Sequence, residues 1–204
     1  IPARYGATRF PGKPLADMRA YVEGLRGAER PAGQLPPIWL AALRDKMLHL
    51  AVEVADGAIW ANAALSHMKA QIATIPDERR ESFTLLNMAP TVIDADKDAA
   101  RAIHRRTLTG YVSLPNYRNY WKTAGYEDEM AAREDAVAAG DRDRLPSLMT
   151  DDGVDDCTIS GSAGEVRERL DAWYELGVTP IAVMSSTTGG QAHGQPSNTT
   201  EVFA

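Results

Sequence analysis

The sequence has 204 residues, of which 44% are hydrophobic, and its formal net charge of −6 goes with an isoelectric point near 5.2. This charge argues against nucleic acid or an anionic membrane as a partner, because both carry negative charge themselves. The single cysteine, Cys157, and the four scattered histidines predict neither an intrachain disulfide nor a metal site. No apolar run reaches the roughly 18 residues of a membrane span, and we expect a cytoplasmic protein.

The first 17 residues, IPARYGATRFPGKPLAD, resemble the nucleotide-binding loop of the sugar-acid cytidylyltransferases. Arg9 and Lys13 stand where that family grips triphosphate oxygens, and Ala7 stands where a Ser is frequent. The resemblance implies a CTP-dependent nucleotidyltransferase as an alternative function. The continuation MRAYVEGLRG differs from that family, and short motifs without their structural context are usually accidental, so a basic surface segment is the favoured interpretation.

Residues 15–61 predict the first repeating unit of the fold. Apolar residues at helical spacing predict a helix over residues 15–25, followed by a polar linker rich in Pro and Gly. Residues 38–43 and 58–61 are short apolar runs typical of strands, and the amphipathic segment 46–56 between them predicts a helix. Two strands joined in this way are parallel neighbours with a right-handed crossover. Gly57 is expected in the left-handed conformation just past the helix.

The alternation of helix and strand continues along the chain. A helix is predicted over residues 66–75 and a strand over residues 84–92. Pro90 has no N–H for a ladder, so it must lie at an unpaired position or near the carboxyl end of that strand. Asp94 is expected to cap the following helix.

The last third of the chain predicts an insertion and a final helix and strand. Residues 111–152 are far longer than a typical connection and predict helices of their own. Ser162 and Glu165 form a capping-box pattern that predicts a helix ending near Gly177. Residues 181–184 predict the last strand.

Four segments carry a second family resemblance: PPIWLAALRDKMLHLAVEVADGAIWAN, NMAPTVIDADKDAARA, RRTLTGYVSLPNYRNYWKTAGY and DDCTISGSAGEVRERLDAWYELGVTPIAVMSS. In this order they resemble the luciferase-like flavin-dependent monooxygenases and oxidoreductases, over roughly residues 13–186. The resemblance implies an eight-stranded α/β barrel that binds FMN or a deazaflavin coenzyme at the carboxyl ends of its strands.

The expected fold class is therefore α/β, as the second half of a TIM (β/α)8 barrel with about four parallel strands, outer helices and a helical insertion. A whole barrel usually needs about 250 residues. We expect one partial barrel domain in residues 1–186, in which residues 1–36 are an N-terminal segment and linker and residues 111–152 are the insertion. Residues 187–204 predict a disordered tail. Because a half-barrel exposes apolar strand edges, a homodimer is a further expectation.

The turn after the first predicted strand is the expected phosphate site. The resemblance places the phosphate of the cofactor after the fifth strand of the barrel, which corresponds here to Leu43, Arg44, Asp45 and Lys46. A helix N-terminus favours a dianion, Arg44 and Lys46 would add positive charge, and Asp45 would cap the helix. The further cofactor-binding candidates are Asn62, Ser160, Gly161 and Ser162. A Gly-Ser turn ahead of a helix can hold an anion, and mere capping is an equally good interpretation.

The insertion carries the candidate substrate contacts, because amide and aromatic groups occur together in it. These residues are Asn116, Tyr117, Tyr120 and Trp121. The favoured interpretation is that the aromatic rings form the inner stripe of a short helix that packs on the barrel.

No paired carboxylates, catalytic triad or reactive cysteine stands out in the sequence, and catalytic residues stay unassigned. Flavin chemistry requires none of them, because the ring system carries the reactivity while the protein binds, orients and excludes water. The leading hypothesis is a fragment of a flavin-dependent oxidoreductase or monooxygenase, with FMN or a deazaflavin coenzyme and a small-molecule substrate. The alternatives are the CTP-dependent nucleotidyltransferase and a non-catalytic flavin-binding half-barrel.

Overall fold

The computed structural model describes residues 15–28, 33, 35–185 and 187. In this part of the chain, five strands form one sheet: β1 Trp39–Ala41, β2 Gly57–Ala61, β3 Thr84–Ile93, β4 Ile159–Gly161 and β5 Thr179–Ser185. The helices are α1 Leu15–Gly27, α2 Asp45–Val54, α3 Leu65–Ile72, α4 Asp77–Arg80, α5 Lys97–Val112, α6 Pro115–Thr123, α7 Glu127–Ala138, α8 Asp151–Cys157 and α9 Ala163–Glu175, with a 3₁₀ turn at Leu145–Leu148. The predicted N-terminal loop and the predicted tail, apart from Thr187, lie outside the described residues.

All strand pairs are parallel, and the four predicted strands are neighbours in the predicted order β1, β2, β3, β5. This confirms the α/β fold class. The short strand β4 was not predicted. It pairs with the carboxyl end of β3, on the same side as β2, because β5 occupies the other side of β3 at the same level. Pro90 lies between the stretch of β3 paired with β2 and the stretch paired with β4, as its missing N–H requires.

The two faces of the sheet differ in what covers them. Helices α2, α5 and α9 pack on one face and bury Ala58, Trp60 and Ala89 almost completely. The opposite face, called here the open face, consists of the alternate residues, which the strand register places side by side. Its apolar members are Trp39, Ala41, Ile59, Ala61, Leu86, Met88, Pro90, Val92, Ile181 and Val183, of which Leu86, Pro90 and Val92 are buried. Large apolar side chains there stay exposed, Trp39 at 47% and Val183 at 42%.

Three of the predicted cap positions are wrong. Gly57 is the first residue of β2 and has no positive φ. A glycine is required there for another reason, since an added Cβ would sit only 2.4 Å from the carbonyl oxygen of Thr84. The N-cap of α2 is Arg44, with no side-chain bond, and Asp45 is the first helical residue. The cap of α5 is Asp96, which accepts from the Ala99 N–H at 3.0 Å.

Two predicted helix ends are confirmed in α9. Ser162 accepts from the backbone N–H of Glu165, and the Glu165 carboxylate accepts from the Ser162 N–H, which completes the capping box. Gly177 follows the helix with φ of 76°, a conformation that an L side chain rarely adopts.

One carboxylate near the end of α8 connects the helices after β3 to the start of α3. Asp156 in α8 accepts hydrogen bonds from the Ser66 N–H at 2.9 Å, the Ser66 hydroxyl at 2.6 Å and the Tyr126 hydroxyl at 2.7 Å. Ser66 belongs to α3, whereas Tyr126 precedes α7. The carboxylate therefore ties α8, the start of α3 and the α6–α7 corner together.

Candidate functional site

The first cavity of interest lies on the open face, at the carboxyl ends of β1, β2 and β3. We call it the inner cavity. Its volume is about 320 Å³, and it is lined by Ala41, Ala42, Leu43, Arg44, Met47, Ile59, Trp60, Ala61, Met88, Asn116 and Tyr117. Most of these side chains are apolar or aromatic, and this combination with a few polar groups is typical of small-molecule pockets of this size.

A second cavity lies on the other side of the turn after β1, between α2, α3 and α6. We call it the outer cavity. Its volume is about 600 Å³, and it is lined by Arg44, Asp45, Lys46, Met47, His49, His67, Gln71, Tyr120 and Thr123. Two permanent cations and two histidines face a single carboxylate in this set, so the outer cavity favours an anionic group.

Arg44 lines both cavities, and the backbone around it is suited to anion binding. The first N–H groups of a helix have no partner within the helix, and at α2 no side chain caps them. They carry the positive end of the helix dipole. The structure therefore brings the predicted residues Leu43, Arg44, Asp45 and Lys46 to one continuous site.

Gln71 holds this turn in place from α3. It is buried, and its side-chain NH2 donates to the Leu43 carbonyl at 3.3 Å and to the Asp45 carboxylate at 3.2 Å. Its side-chain oxygen is buried and has no hydrogen-bond partner in the described part of the chain. A buried acceptor without a donor costs free energy, so this oxygen offers a position for a donor group in the outer cavity.

Of the four insertion candidates, three reach the cavities. Asn116 and Tyr117 line the inner cavity, and Tyr120 lines the outer one. Trp121 is 1% exposed and packs against Tyr117 with a centroid separation of 5.6 Å. The helix α6 thus packs on the sheet domain through its aromatic stripe while its amino-terminal end faces the open face.

Tyr120 forms the floor of the outer cavity. Its hydroxyl oxygen accepts from the Ala64 N–H at 3.1 Å, which anchors α6 to the start of α3. Burial raises the pKa of Tyr120, so the phenol stays neutral and keeps its proton for donation. The ring of His67 contacts Tyr120 edge to face at 5.8 Å between centroids.

Asn62 lies directly after β2 in an unusual conformation. Its φ of 56° is the one positive value among the described non-glycine residues, and its side chain is buried. The side-chain NH2 has no partner within the described residues. Strained backbone together with an unpaired buried donor at the carboxyl end of a strand is typical of functional positions.

Of the remaining candidates, Ser160 lines a separate groove, whereas Gly161 and Ser162 line neither this groove nor the two cavities. Lys97, Glu165 and Arg169 line the same groove as Ser160, and none of these residues lines the inner or the outer cavity. The Ser162 N–H already donates to Glu165, and the Gly161 carbonyl accepts from the Asp94 N–H. Hydrogen bonds from Lys97 and Ser162 lower the pKa of Glu165 to about 2, so an anion would meet a carboxylate there.

Sequence reasoning missed His49, His67, Gln71 and Met88 as lining residues. Gln71 had a detectable signal. It lies three residues after the buried Met68, on the same face of the helix, and a polar residue at a buried position requires partners. His67 and Met88 could not have been found, because only the tertiary fold brings them beside the turn.

Within residues 15–28, 33, 35–185 and 187, no group of three or more His, Cys, Asp or Glu side chains is arranged to hold a metal ion. In the same part of the chain, no helix has both the length and the apolar character that a bilayer crossing requires. Cys157 is buried, and burial raises the pKa of its thiol.

A parallel sheet with a ligand-sized cavity at the carboxyl ends of its strands defines an α/β protein of the barrel-like class. The family model for luciferase-like monooxygenases matches residues 9–180. The chain therefore belongs to the luciferase-like monooxygenase family, and the sequence resemblance is confirmed.

Two curated relatives and two solved structures that this chain resembles are named as reductases, oxidoreductases or dehydrogenases, and three of these four names include coenzyme F420. The chain is 28% identical to the 5,10-methylenetetrahydromethanopterin reductase of Archaeoglobus fulgidus over 162 residues, which cover 73% of this chain and 48% of that protein. The chain thus spans about half the length of the curated relatives it matches.

Two solved structures show the same fold. One is a coenzyme F420-dependent tetrahydromethanopterin reductase from Methanopyrus kandleri, with a TM-score of 0.59 and 19% identity, over 73% of this chain and 45% of that one. The other is an F420-dependent secondary alcohol dehydrogenase in complex with an F420-acetone adduct, with a TM-score of 0.56 and 12% identity, over 92% of this chain and 58% of that one.

Proposed function

We propose that the chain supplies half of the coenzyme site of an oxidoreductase that uses a deazaflavin coenzyme and a small organic substrate. The observation that carries this proposal is the position of Arg44, at the start of α2 and between an apolar cavity and a basic one. A phosphorylated flavin or deazaflavin has the same two parts, an apolar ring system and an anionic tail. Coenzyme F420, a deazaflavin, stands in the names of one relative and of both solved structures, which favours the deazaflavin over FMN.

The residues present fit such a group. Ala41, Ile59 and Met88 give the inner cavity a flat apolar wall, and Asn116 and Tyr117 close it from the side of the insertion. A ring bound there would bury one apolar face against this wall and could form a hydrogen bond at its edge with the Asn116 amide. The coenzyme itself supplies the hydride chemistry, while these residues bind it, orient it and exclude water.

The phosphate belongs at the start of α2 in this proposal. The uncapped N–H groups, the Arg44 guanidinium and the Lys46 ammonium all act on the same anion, and Gln71 keeps their turn in position. Asn62, just after β2, lines neither cavity, and we assign it no contact with the phosphate. Tyr120 contributes its hydroxyl and Trp121 supports Tyr117 from behind.

The turn at Ser160, Gly161 and Ser162 is the less favoured anion position. The Glu165 carboxylate already accepts the hydrogen bond from the Ser162 N–H, and it lies where an anion would bind. Cofactor binding there requires that Glu165 move away. A phosphate at the start of α2 requires no such rearrangement.

The test is coenzyme titration of the Arg44→Ala variant. Because Arg44 is exposed, one charged hydrogen bond is worth about 1.5 kcal/mol, so FMN and the deazaflavin coenzyme should each bind roughly tenfold more weakly. Riboflavin, which lacks the phosphate, should bind the variant and the unaltered chain alike. Fluorescence titration measures all three ligands.

Arg106→Ala is the matched control, because Arg106 is exposed on α5 and lines neither cavity. It should leave all three affinities unchanged. Equal losses for FMN and riboflavin in Arg44→Ala would show that Arg44 acts on the fold, and would contradict the phosphate assignment. Stronger binding of FMN than of the deazaflavin coenzyme would contradict the choice of coenzyme.

A further inference from the structure

The outer cavity is larger than the phosphate that would bind at its edge under the proposed function. Its volume is about 600 Å³. Four phosphate oxygens, each taking about the 30 Å³ of a water molecule, fill only roughly 120 Å³. Most of the outer cavity therefore has room for another part of the ligand, and the residues around that room indicate its chemistry.

Two side chains of the outer cavity have hydrogen-bonding capacity left over. The NH2 group of Gln71 donates to two acceptors, the Leu43 carbonyl and the Asp45 carboxylate. These two acceptors fix the orientation of the amide, so its unpartnered oxygen needs a donor from elsewhere. The Tyr120 oxygen accepts from the Ala64 N–H, and its hydroxyl proton can still be donated. An amide or a hydroxyl in the ligand is donor and acceptor at once and satisfies both residues.

A second position for an anion lies further along α2, at His49. This residue follows Arg44 by five positions, which is about 7 Å along the helix axis. It lines the outer cavity together with Lys46, which precedes it by three positions on the same face of the helix. A single phosphate at the start of α2 is too small to contact His49 as well. A second anionic group about 7 Å from the phosphate fits this position.

A groove between α1 and α2, called here the α1–α2 groove, adjoins the outer cavity at this point. Its volume is about 600 Å³, and Lys46 and His49 line both spaces. The groove is also lined by Glu53, one turn after His49 on α2, and by Glu23 on α1. Glu53 is paired with Arg19, whereas carboxylates in general repel an anion. An anionic ligand is therefore expected to end beside His49 and not to continue along the groove.

We propose that the outer cavity binds the part of the coenzyme beyond its phosphate, namely an amide or a hydroxyl followed by one carboxylate that ends beside His49. This inference rests on the proposed function and specifies the class of coenzyme. The phosphate has to be a diester, because the ligand continues on its far side. FMN ends in a phosphate monoester, so it would leave Gln71, Tyr120 and His49 without a ligand.

Two small phosphate esters, glycerol 3-phosphate and 3-phosphoglycerate, test the carboxylate position. Both carry a phosphate and a hydroxyl on a three-carbon chain, and they differ only in that the second has a carboxylate in place of a CH2OH group. Neither contains a ring, so their binding needs the outer cavity alone. Calorimetric titration of the unaltered chain should show about tenfold tighter binding of 3-phosphoglycerate, the factor that one charged hydrogen bond supplies.

Three variants assign this difference to a residue. His49→Ala should remove it and leave the affinity for glycerol 3-phosphate unchanged, whereas Arg44→Ala should weaken both esters by the same factor. Lys69→Ala is the matched control, because Lys69 is exposed on α3 and lines neither the outer cavity nor the α1–α2 groove. It should leave both affinities unchanged. For the complete ligands, His49→Ala should bind coenzyme F420 more weakly than the unaltered chain does and FMN equally well.

Three results would overturn the inference, and they separate it from the proposed function. Equal affinities of the two esters, both weakened in Arg44→Ala, would remove the carboxylate position and leave the phosphate site standing. A preference for 3-phosphoglycerate that persists in His49→Ala would place the carboxylate away from His49. Absence of binding by either ester at millimolar concentration would show that the phosphate site itself is wrong, and the proposed function would fall with the inference.

Discussion

His104 offers a pH test of how tightly the helices pack on the sheet. Its side chain in α5 is fully buried, and one ring nitrogen lies 3.3 Å from the carbonyl oxygen of Ile159 in β4. The other ring nitrogen has no partner among the described residues. Burial lowers the pKa of His104 to about 4, although the Ile159 carbonyl and Asp155 act in the opposite direction.

The direction of the effect follows from proton uptake. In the unfolded chain a histidine has a pKa of about 6.5. Between that value and about 4, the unfolded state binds a proton that the folded state does not, so stability is full above pH 6.5 and decreases as the pH falls. Complete loss of the contribution would amount to about 3 kcal/mol at about 1.4 kcal/mol per pKa unit, and most of it is lost by pH 4.5.

The assay is urea unfolding at pH 7.5 and at pH 4.5, followed by circular dichroism, for the unaltered chain and for His104→Gln. The glutamine keeps a donor for the Ile159 carbonyl and does not titrate. Carboxylates contribute to acid loss in both proteins, so the difference between the two pH dependences isolates His104. His49→Gln, at an exposed position, should behave like the unaltered chain. The same pH dependence with and without His104 would refute the reasoning.

Two further substitutions test packing. Asp156→Ala removes the acceptor of three hydrogen bonds from Ser66 and Tyr126, and it should lower the free energy of unfolding by roughly 3 kcal/mol in urea titrations. Asp156→Asn should lower it less. A loss below about 1 kcal/mol in Asp156→Ala would contradict the role of Asp156 in connecting these elements. Gly57→Ala should cost about 1–3 kcal/mol, because its Cβ would meet a β3 carbonyl oxygen at 2.4 Å, whereas Gly110→Ala has free space and should be neutral or stabilising by thermal melts. Equal effects of the two glycine changes would show that β2 can shift.

Local patterns were sufficient to predict the four main strands and their order. Each of these strands is an apolar run flanked by a helix-period segment, and parallel connection by right-handed crossovers leaves little choice of arrangement. β4 escaped because its three residues, Ile159–Gly161, form no run of their own. They become a strand only by pairing with Thr91–Ile93, more than sixty positions earlier in the chain. Pairing over such a separation leaves no local signal.

The cap errors have the same origin. A glycine after a helix, such as Gly57, usually marks a helix end. Here a side chain is excluded instead by the Thr84 backbone of β3 and by the Trp39 ring, both of which a Cβ would meet. Asp94 is a normal capping residue, but its carboxylate accepts instead from Thr187 and from the Asp96 N–H, which leaves Asp96 to cap the helix. In both cases a partner distant in sequence decided between locally equivalent choices. The capping box at Ser162 was predictable because both of its partners lie within four residues.

The candidate site divides in the same way between local and tertiary information. The turn from Leu43 to Lys46 was predictable, because a strand end followed by a helix start is a local pattern. The outer cavity was not, since α3 and α6 contribute His67, Gln71 and Tyr120 to it. Asn116 and Tyr117 were assigned by composition, and only the docking of α6 explains why these two face the inner cavity while Trp121 is buried.

The two cavities differ in how complete they are within one copy of the chain. Three helices enclose the outer cavity, and bonds from Gln71 and Tyr120 fix its walls. The inner cavity has a wall from three strands and the amino-terminal end of α6, and the open face beside it keeps large apolar side chains exposed. On the proposed function, the anionic end of the coenzyme therefore binds to structure that this chain provides alone. The ring, and with it hydride transfer, depends on a second wall that lies outside the described residues.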